Sequence, residues 1–201
     1  MENKFMEAMH FRHACKLFDD TKKIGTEDFD YILEVGRMSP SSIGMEQWKF
    51  LVIKDEILKS KIRKVSWDQP QITTSSELVV ILYKKQMRSN TPYIKSQFKK
   101  IFDTDTVGDW YKDFIDVRSD EELECWSAKQ CYIAAANMMS AAAYIGIDSC
   151  PMEGFDKDAL EQTLPIDTSL YGVALVVPFG YRANKQQPRK RSDISELVEF
   201  V

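Results

Sequence analysis

The chain has 201 residues, 44% of them apolar, with 27 basic against 31 acidic side chains and a formal charge of −4. That is enough chain for one domain with a real core, and the mild negative charge argues against a nucleic-acid partner, which needs a basic surface. Cys15, Cys125, Cys131 and Cys150 have no CxxC spacing, and His10 and His13 are the only histidines, so free thiols and no metal site are expected.

The N-terminal stretch MENKFMEAMHFRHACKLF is too charged for a signal peptide. The longest apolar run carries Lys129 and Asn137, so no membrane span is read and a cytoplasmic protein is expected. Residues 1–18 alternate apolar and basic at helical spacing. Arg12 and Lys16, at i and i+4, would share a helix face with His13 close by. Three donors within five positions suit a terminal phosphate: Arg offers a planar fork, Lys a point charge. An ordinary solvated basic face reads the same way.

Residues 26–38 predict a helix with Thr26 as N-cap and Phe29, Ile32, Leu33 and Gly36 as the buried stripe, stopped before Pro40. The loop SPSSIGMEQW leads into a strand, KFLVIK. Residues 55–64 predict an amphipathic helix capped by Asp55, and VSWDQPQITTSS reads as polar turns. ELVVILYKK predicts a strand buried on both faces. Residues 86–121 predict short helices rich in aromatics. From Trp126 to Ile145 no Pro or Gly interrupts an Ala- and Met-rich run, which predicts a helix of roughly 30 Å at about 1.5 Å per residue. Being apolar almost all round, it belongs in a core or an intimate interface. Gly146 is its natural stop, and Pro151 and Gly154 then expose backbone N–H groups. A helix over 155–164 and a strand over 171–182, ended by Pro178 and Gly180, follow. KQQPRKRSD is a basic loop and SELVEFV a terminal segment free to dock elsewhere. There is no GxGxxG and no P-loop. The order predicts an α+β domain, with a small sheet surrounded by helices, over residues 1–201.

Four segments, in order, resemble the nitroreductase family of FMN-dependent oxidoreductases. Arg12-His13-Ala14-Cys15-Lys16-Leu17-Phe18 is similar to R-[RH]-S-x-[RK]-x-F. Residues 39–50, SPSSIGMEQWKF, are similar to S-P-S-S-x-N-x-Q-P-W-x-F. The run from Trp126 to Phe155, ending Pro151-Met152-Glu153-Gly154-Phe155, and Arg189-Lys190-Arg191 in the place of K-x-R complete the likeness. The resemblance implies a nitroreductase-like fold with a mixed, mainly antiparallel sheet and a long central helix at a homodimer interface. It implies FMN as cofactor. Arg12, His13, Lys16, Arg189 and Arg191 would hold its phosphate and ribityl chain, with Ala14 beside them. Pro40, Ser41 and Ser42 would line the ring from the partner subunit, and Gly44 in the same loop would also bind the cofactor. Pro151, Met152, Glu153 and Gly154 would lie along its other side, with the Glu153 or Gly154 N–H donating to flavin N5, the atom that accepts hydride. Asp68 and Gln71 would meet the pyrimidine end, and Trp110, Tyr111 and Phe114 would shape the acceptor pocket.

The implied reaction is hydride transfer from NADH or NADPH to a nitroaromatic, a quinone or another electron-poor organic acceptor, with ping-pong kinetics. Two alternatives stand beside it: a flavin carrier or regulator without turnover, and a same-fold enzyme with other flavin chemistry. The sequence departs from the family pattern at Ala14, which replaces a Ser, and at Gly44, Glu46 and Gln47, which replace Asn, Gln and Pro.

Overall fold

The computed structural model describes residues 3–201, so the first two residues of the N-terminal stretch lie outside it. Helix α1 (Lys4–Phe11) is followed by α2 (Thr26–Arg37), a 3-10 turn at Ser42–Gly44, β1 (Trp48–Ile53), α3 (Glu56–Val65) and α4 (Gln71–Thr74). Then come β2 (Glu77–Lys84), α5 (Pro92–Phe102), α6 (Asp109–Ile115) and α7 (Asp120–Tyr144). β3 (Asp148–Ser149), α8 (Lys157–Thr163), β4 (Tyr171–Gly180) and α9 (Ile194–Leu197) complete the chain.

Among the described residues the strands form one sheet in the order β1-β2-β4-β3, with every neighbouring pair antiparallel. Its only parallel element is a bridge between Ala14 and Ser149. β2 is buried from Glu77 to Tyr83, as its unbroken apolar run requires. Its side chains alternate between two cores. Val79, Ile81 and Tyr83 meet Phe29, Ile32, Cys131 and Met138 from α2 and α7, while Leu78, Val80 and Leu82 meet Ile62 and Leu160 from α3 and α8. A third cluster joins Phe98, Tyr111, Ile115 and Leu123 from α5, α6 and the start of α7. Helix α2 lies against α7 through Gly36, where an added Cβ would stand 2.8 Å from the Met138 Cγ and Sδ.

Several boundaries differ from the sequence reading. Helix α7 starts at Asp120, six residues before Trp126, because Ser119 and Glu122 form a reciprocal capping box. Gly25, not Thr26, is the N-cap of α2. The turn-rich stretch before β2 contains α4, and the two-residue β3 is an added strand. Pro178 does not end β4: it lies inside it, and its carbonyl accepts from the Cys150 N–H. Asp55 caps α3 as expected, and Gly146 takes the left-handed φ of +79° just past α7. One side of α7 is uncovered: Lys129, Tyr132, Ile133 and Ala136 are exposed.

Candidate functional site

Helix α1 stops at Phe11, and Arg12 is already extended, at φ −62° and ψ 128°. Arg12 and Lys16 are therefore not on one helix, which corrects the basis on which they were paired. They still share a face, because i and i+4 coincide in an extended chain just as they nearly do in a helix. The segment is held extended by the Ala14–Ser149 bridge, with the Cys15 N–H donating to the Ser149 carbonyl at 3.1 Å.

Opposite it runs the basic loop. Residues 12–17 and 184–191 enclose an open cavity of about 640 Å³. The Arg189 guanidinium donates to the Arg12 carbonyl across it. Arg12, Lys16, Arg189 and Arg191 all line this space, and among the described residues no carboxylate lies within 4 Å of any of them. Burial and the neighbouring Arg189 and Arg191 charges lower the Arg12 pKa; burial and Arg182 lower that of His13. A cluster of cations that lacks counter-charges and crowds itself is a site for an anion.

A second line of contacts leads away from the cavity. Lys16 Nζ lies 3.6 Å from Cys150 Sγ, just before Pro151–Gly154. That segment is fixed from both sides. Gln69 Nε2 donates to the Gly154 carbonyl at 2.8 Å, and the Tyr132 hydroxyl on α7 donates to the Glu153 carboxylate. An added Cβ on Gly154 would meet Gln69 Nε2 and the Trp67 ring at 2.9 Å, so glycine is needed for the close approach. Gln71 is buried and donates to Gln69. Asp68 is exposed and is held by Arg63 at 2.8 Å, so Gln69 is the polar side chain that reaches Gly154.

Pro40, Ser41, Ser42 and Gly44 do not line the cavity. Their loop packs on α7, where the Ser42 N–H donates to Gln130 Oε1 at 3.0 Å and Asn137 donates to Ser39 Oγ at 2.9 Å. Ile43, Gly44 and Glu46 take left-handed φ values. The turn is pinned by Lys84 Nζ on the Glu46 carbonyl at 2.9 Å and by the Tyr93 hydroxyl on the Met45 carbonyl at 2.5 Å. Tyr111 has no exposed surface and donates to the Met87 carbonyl, so it packs in the α5–α6 core and offers no wall to an acceptor in this protomer. Trp110 and Phe114 are exposed.

Sequence reasoning passed over Trp67, Gln69, Tyr132, Asp148 and Arg182. A signal existed for Asp148, a carboxylate inside the apolar run YIGIDSC. The others are ordinary residues that only their neighbours make notable.

The fold and site thus define an α+β protein that gathers four cations around a cavity between its N-terminal segment and a C-terminal basic loop. The sequence profile of the nitroreductase family matches residues 9–181, and the chain belongs to that family. It is 41% identical over 218 aligned positions to a Staphylococcus aureus (strain USA300) protein provisionally named an NAD(P)H nitroreductase, covering 100% of this chain and 97% of that one. Bacillus subtilis (strain 168) YfkO, provisionally named in the same way, is 37% identical, with 100% and 99% covered. The fold matches a provisionally named nitroreductase from Exiguobacterium sibiricum, solved in complex with FMN, at a TM-score of 0.82 and 20% identity, over 100% and 99% of the two chains. Among the described residues no helix is long and apolar enough to cross a membrane, and no group of side chains is arranged to hold a metal ion.

Proposed function

We propose that this protein is a cytoplasmic, homodimeric FMN-dependent NAD(P)H oxidoreductase that reduces electron-poor organic acceptors such as nitroaromatics and quinones. The observation that carries the reading is the set of four cations without counter-charges around the cavity. A phosphomonoester supplies what they lack: two negative charges and three acceptor oxygens. Arg12, Lys16, Arg189 and Arg191 would hold it, with His13 at the same wall. Gln71 would meet the polar end of the ring, Gln69 holds the Gly154 carbonyl beside it, and Pro151–Gly154 offers backbone along its edge.

When bound, FMN supplies the two-electron chemistry, taking hydride from NAD(P)H and giving it to the acceptor. The chain's own work is to bind and orient. The cations fix one end of the cofactor. The Tyr132–Glu153 and Gln69–Gly154 contacts stiffen the segment whose N–H would face N5, so that the donor is aimed in advance. Donor and acceptor would use the same face of the ring in turn, which predicts ping-pong kinetics. The uncovered face of α7 and the exposed Ile194, Leu197, Phe200 and Val201 are the surfaces offered to a second copy. The strained Pro40–Gly44 loop would reach that copy's ring, with Trp110 and Phe114 beside the acceptor and Tyr111 as their support.

The test is an anaerobic visible spectrum before and after NADPH, and then NADH. Flavin bands that bleach, and return on adding a nitroaromatic or a quinone, support the enzyme. Flavin that stays oxidised with both donors overturns it in favour of a carrier.

A further inference from the structure

Asp148 lies behind the cavity rather than in it, on the two-residue strand β3, with its side chain 2% exposed. Its Oδ2 accepts from the Arg182 backbone N–H at 3.0 Å and from Arg182 Nε at 2.9 Å. From that anchor the Arg182 guanidinium reaches both chain segments that cradle the cavity. Nη2 donates to the Phe11 carbonyl at 3.2 Å, the group stacks 4.1 Å from the Phe11 ring, and Nη1 donates to Gln186 Oε1 at 3.0 Å. Gln186 in turn donates to the His10 carbonyl. One buried carboxylate thereby sets the spacing between residues 10–13 and 186–189.

The other oxygen, Oδ1, lies 2.6 Å from Arg182 Nη2, completing a two-point ion pair with that guanidinium, and 3.4 Å from His13 Nδ1. His13 Nδ1 is buried without a partner. A buried ring nitrogen that faces a carboxylate without a hydrogen bond is an incomplete interaction, and burial makes that costly. An Nδ1–H toward Asp148 would complete it, and only the imidazolium carries in addition an Nε2–H for an anionic ligand. In the free protein burial, Arg182 and Arg189 oppose that charge, and only Asp148 and the Phe11 backbone favour it. Arg12 and Lys16 share the same wall and add to the opposition. A dianion placed among these cations would reverse the balance.

We propose that Asp148 is the positioning residue of the cradle: through Arg182 it fixes the two cationic walls, and through His13 it completes a fifth cation when a phosphomonoester enters. Binding of the ligand is then coupled to uptake of a proton by His13. The inference rests on the proposed FMN site, of which it specifies the phosphate end.

Titration calorimetry of the apo protein with FMN and with riboflavin, which lacks the phosphate, tests it at pH 7.5 in buffers of different ionisation heat. The wild type is expected to prefer FMN by tenfold or more and to take up protons with FMN but not with riboflavin. Asp148→Asn should lose most of that preference and the proton uptake while keeping its riboflavin affinity. His13→Gln, a half-exposed site that leaves the Asp148–Arg182 pair intact, should lose the proton uptake even if Asp148→Asn folds poorly. An NMR titration of His13 in a His10→Gln background should show its pKa rising when FMN is added. A wild type that prefers FMN without proton uptake, or an Asp148→Asn protein that keeps both properties, overturns the inference and leaves the FMN site standing. A wild type that binds both ligands equally overturns the site and the inference together.

Discussion

Replacing Arg12 with Met keeps an apolar stem of similar length and removes one of four crowded cations. In the ligand-free protein Arg12 has no carboxylate within 4 Å among the described residues, and its pKa is lowered by burial and by Arg189 and Arg191. The group is largely solvated, so relief of the repulsion is screened and worth ~0.2–1 kcal/mol. For a chain of this size that raises Tm by about 0.4–4 °C. FMN binding moves the other way. Loss of a charge-assisted hydrogen bond costs about 1.5–3 kcal/mol, or roughly 10- to 150-fold in Kd. Differential scanning fluorimetry of the apo protein, with flavin-fluorescence titrations of FMN and riboflavin, measures both effects. The expected signature is a slightly more stable apo protein with weak FMN binding and unchanged riboflavin binding. A fall of several degrees in the apo Tm would mean that Arg12 is structural. Equal weakening of FMN and riboflavin would mean that it does not read the phosphate.

Gly36→Ala gains about 1 kcal/mol of helix propensity but drives a methyl into Met138 at 2.8 Å, and overpacking costs about 1–3 kcal/mol, so urea unfolding should show a net loss of stability. Ser119→Ala removes half of the α7 capping box and should lower stability by about 1 kcal/mol in the same assay, with FMN affinity unchanged. Gly154→Ala should weaken FMN and riboflavin alike, because its Cβ would displace Gln69 and Trp67 at the ring edge; unaltered flavin binding would disconnect that segment from the ligand. Burial holds the Lys84 pKa down at about 8, so between about pH 8 and 10.5 the unfolded chain binds the extra proton and Lys84 contributes stability that rises with pH. Buried tyrosines and thiols act in the opposite sense over that range, so the quantity to measure is the difference between wild type and Lys84→Met. Wild type should gain on the variant by up to ~3 kcal/mol between pH 7.5 and 10.5, and a flat difference would refute the assignment.

The sequence by itself determined the elements whose signals are local. The apolar run of β2 makes a strand buried on both faces wherever it lies, and Asp55 starts one helix and Gly146 stops another through bonds to their own neighbours. The start of α7 was legible too, since Ser119 and Glu122 stand at capping-box spacing, but the charged turn between them and Trp126 hid it. The cations at 12, 16, 189 and 191 could be ranked from motifs alone. Arg12 and Lys16 reach the same cavity although the helical reason for pairing them fails, because i and i+4 align in a strand as well.

Only the tertiary structure decided what those cations are. Lacking a counter-charge is a property of surroundings: acidic residues are plentiful in this chain, yet none of those described reaches the four. Tyr111 and Trp110 are neighbours in sequence and both meet Phe98 of α5, but Tyr111 is wholly buried while Trp110 lies at the rim and stays half exposed. Asp148 shows the distinction most clearly. Its sequence context says only that a carboxylate sits among apolar residues. Its neighbours Arg182 and Gln186 are brought to it by the pairing of β3 with β4, and His13 by the bridge between Ala14 and Ser149, from both ends of the chain.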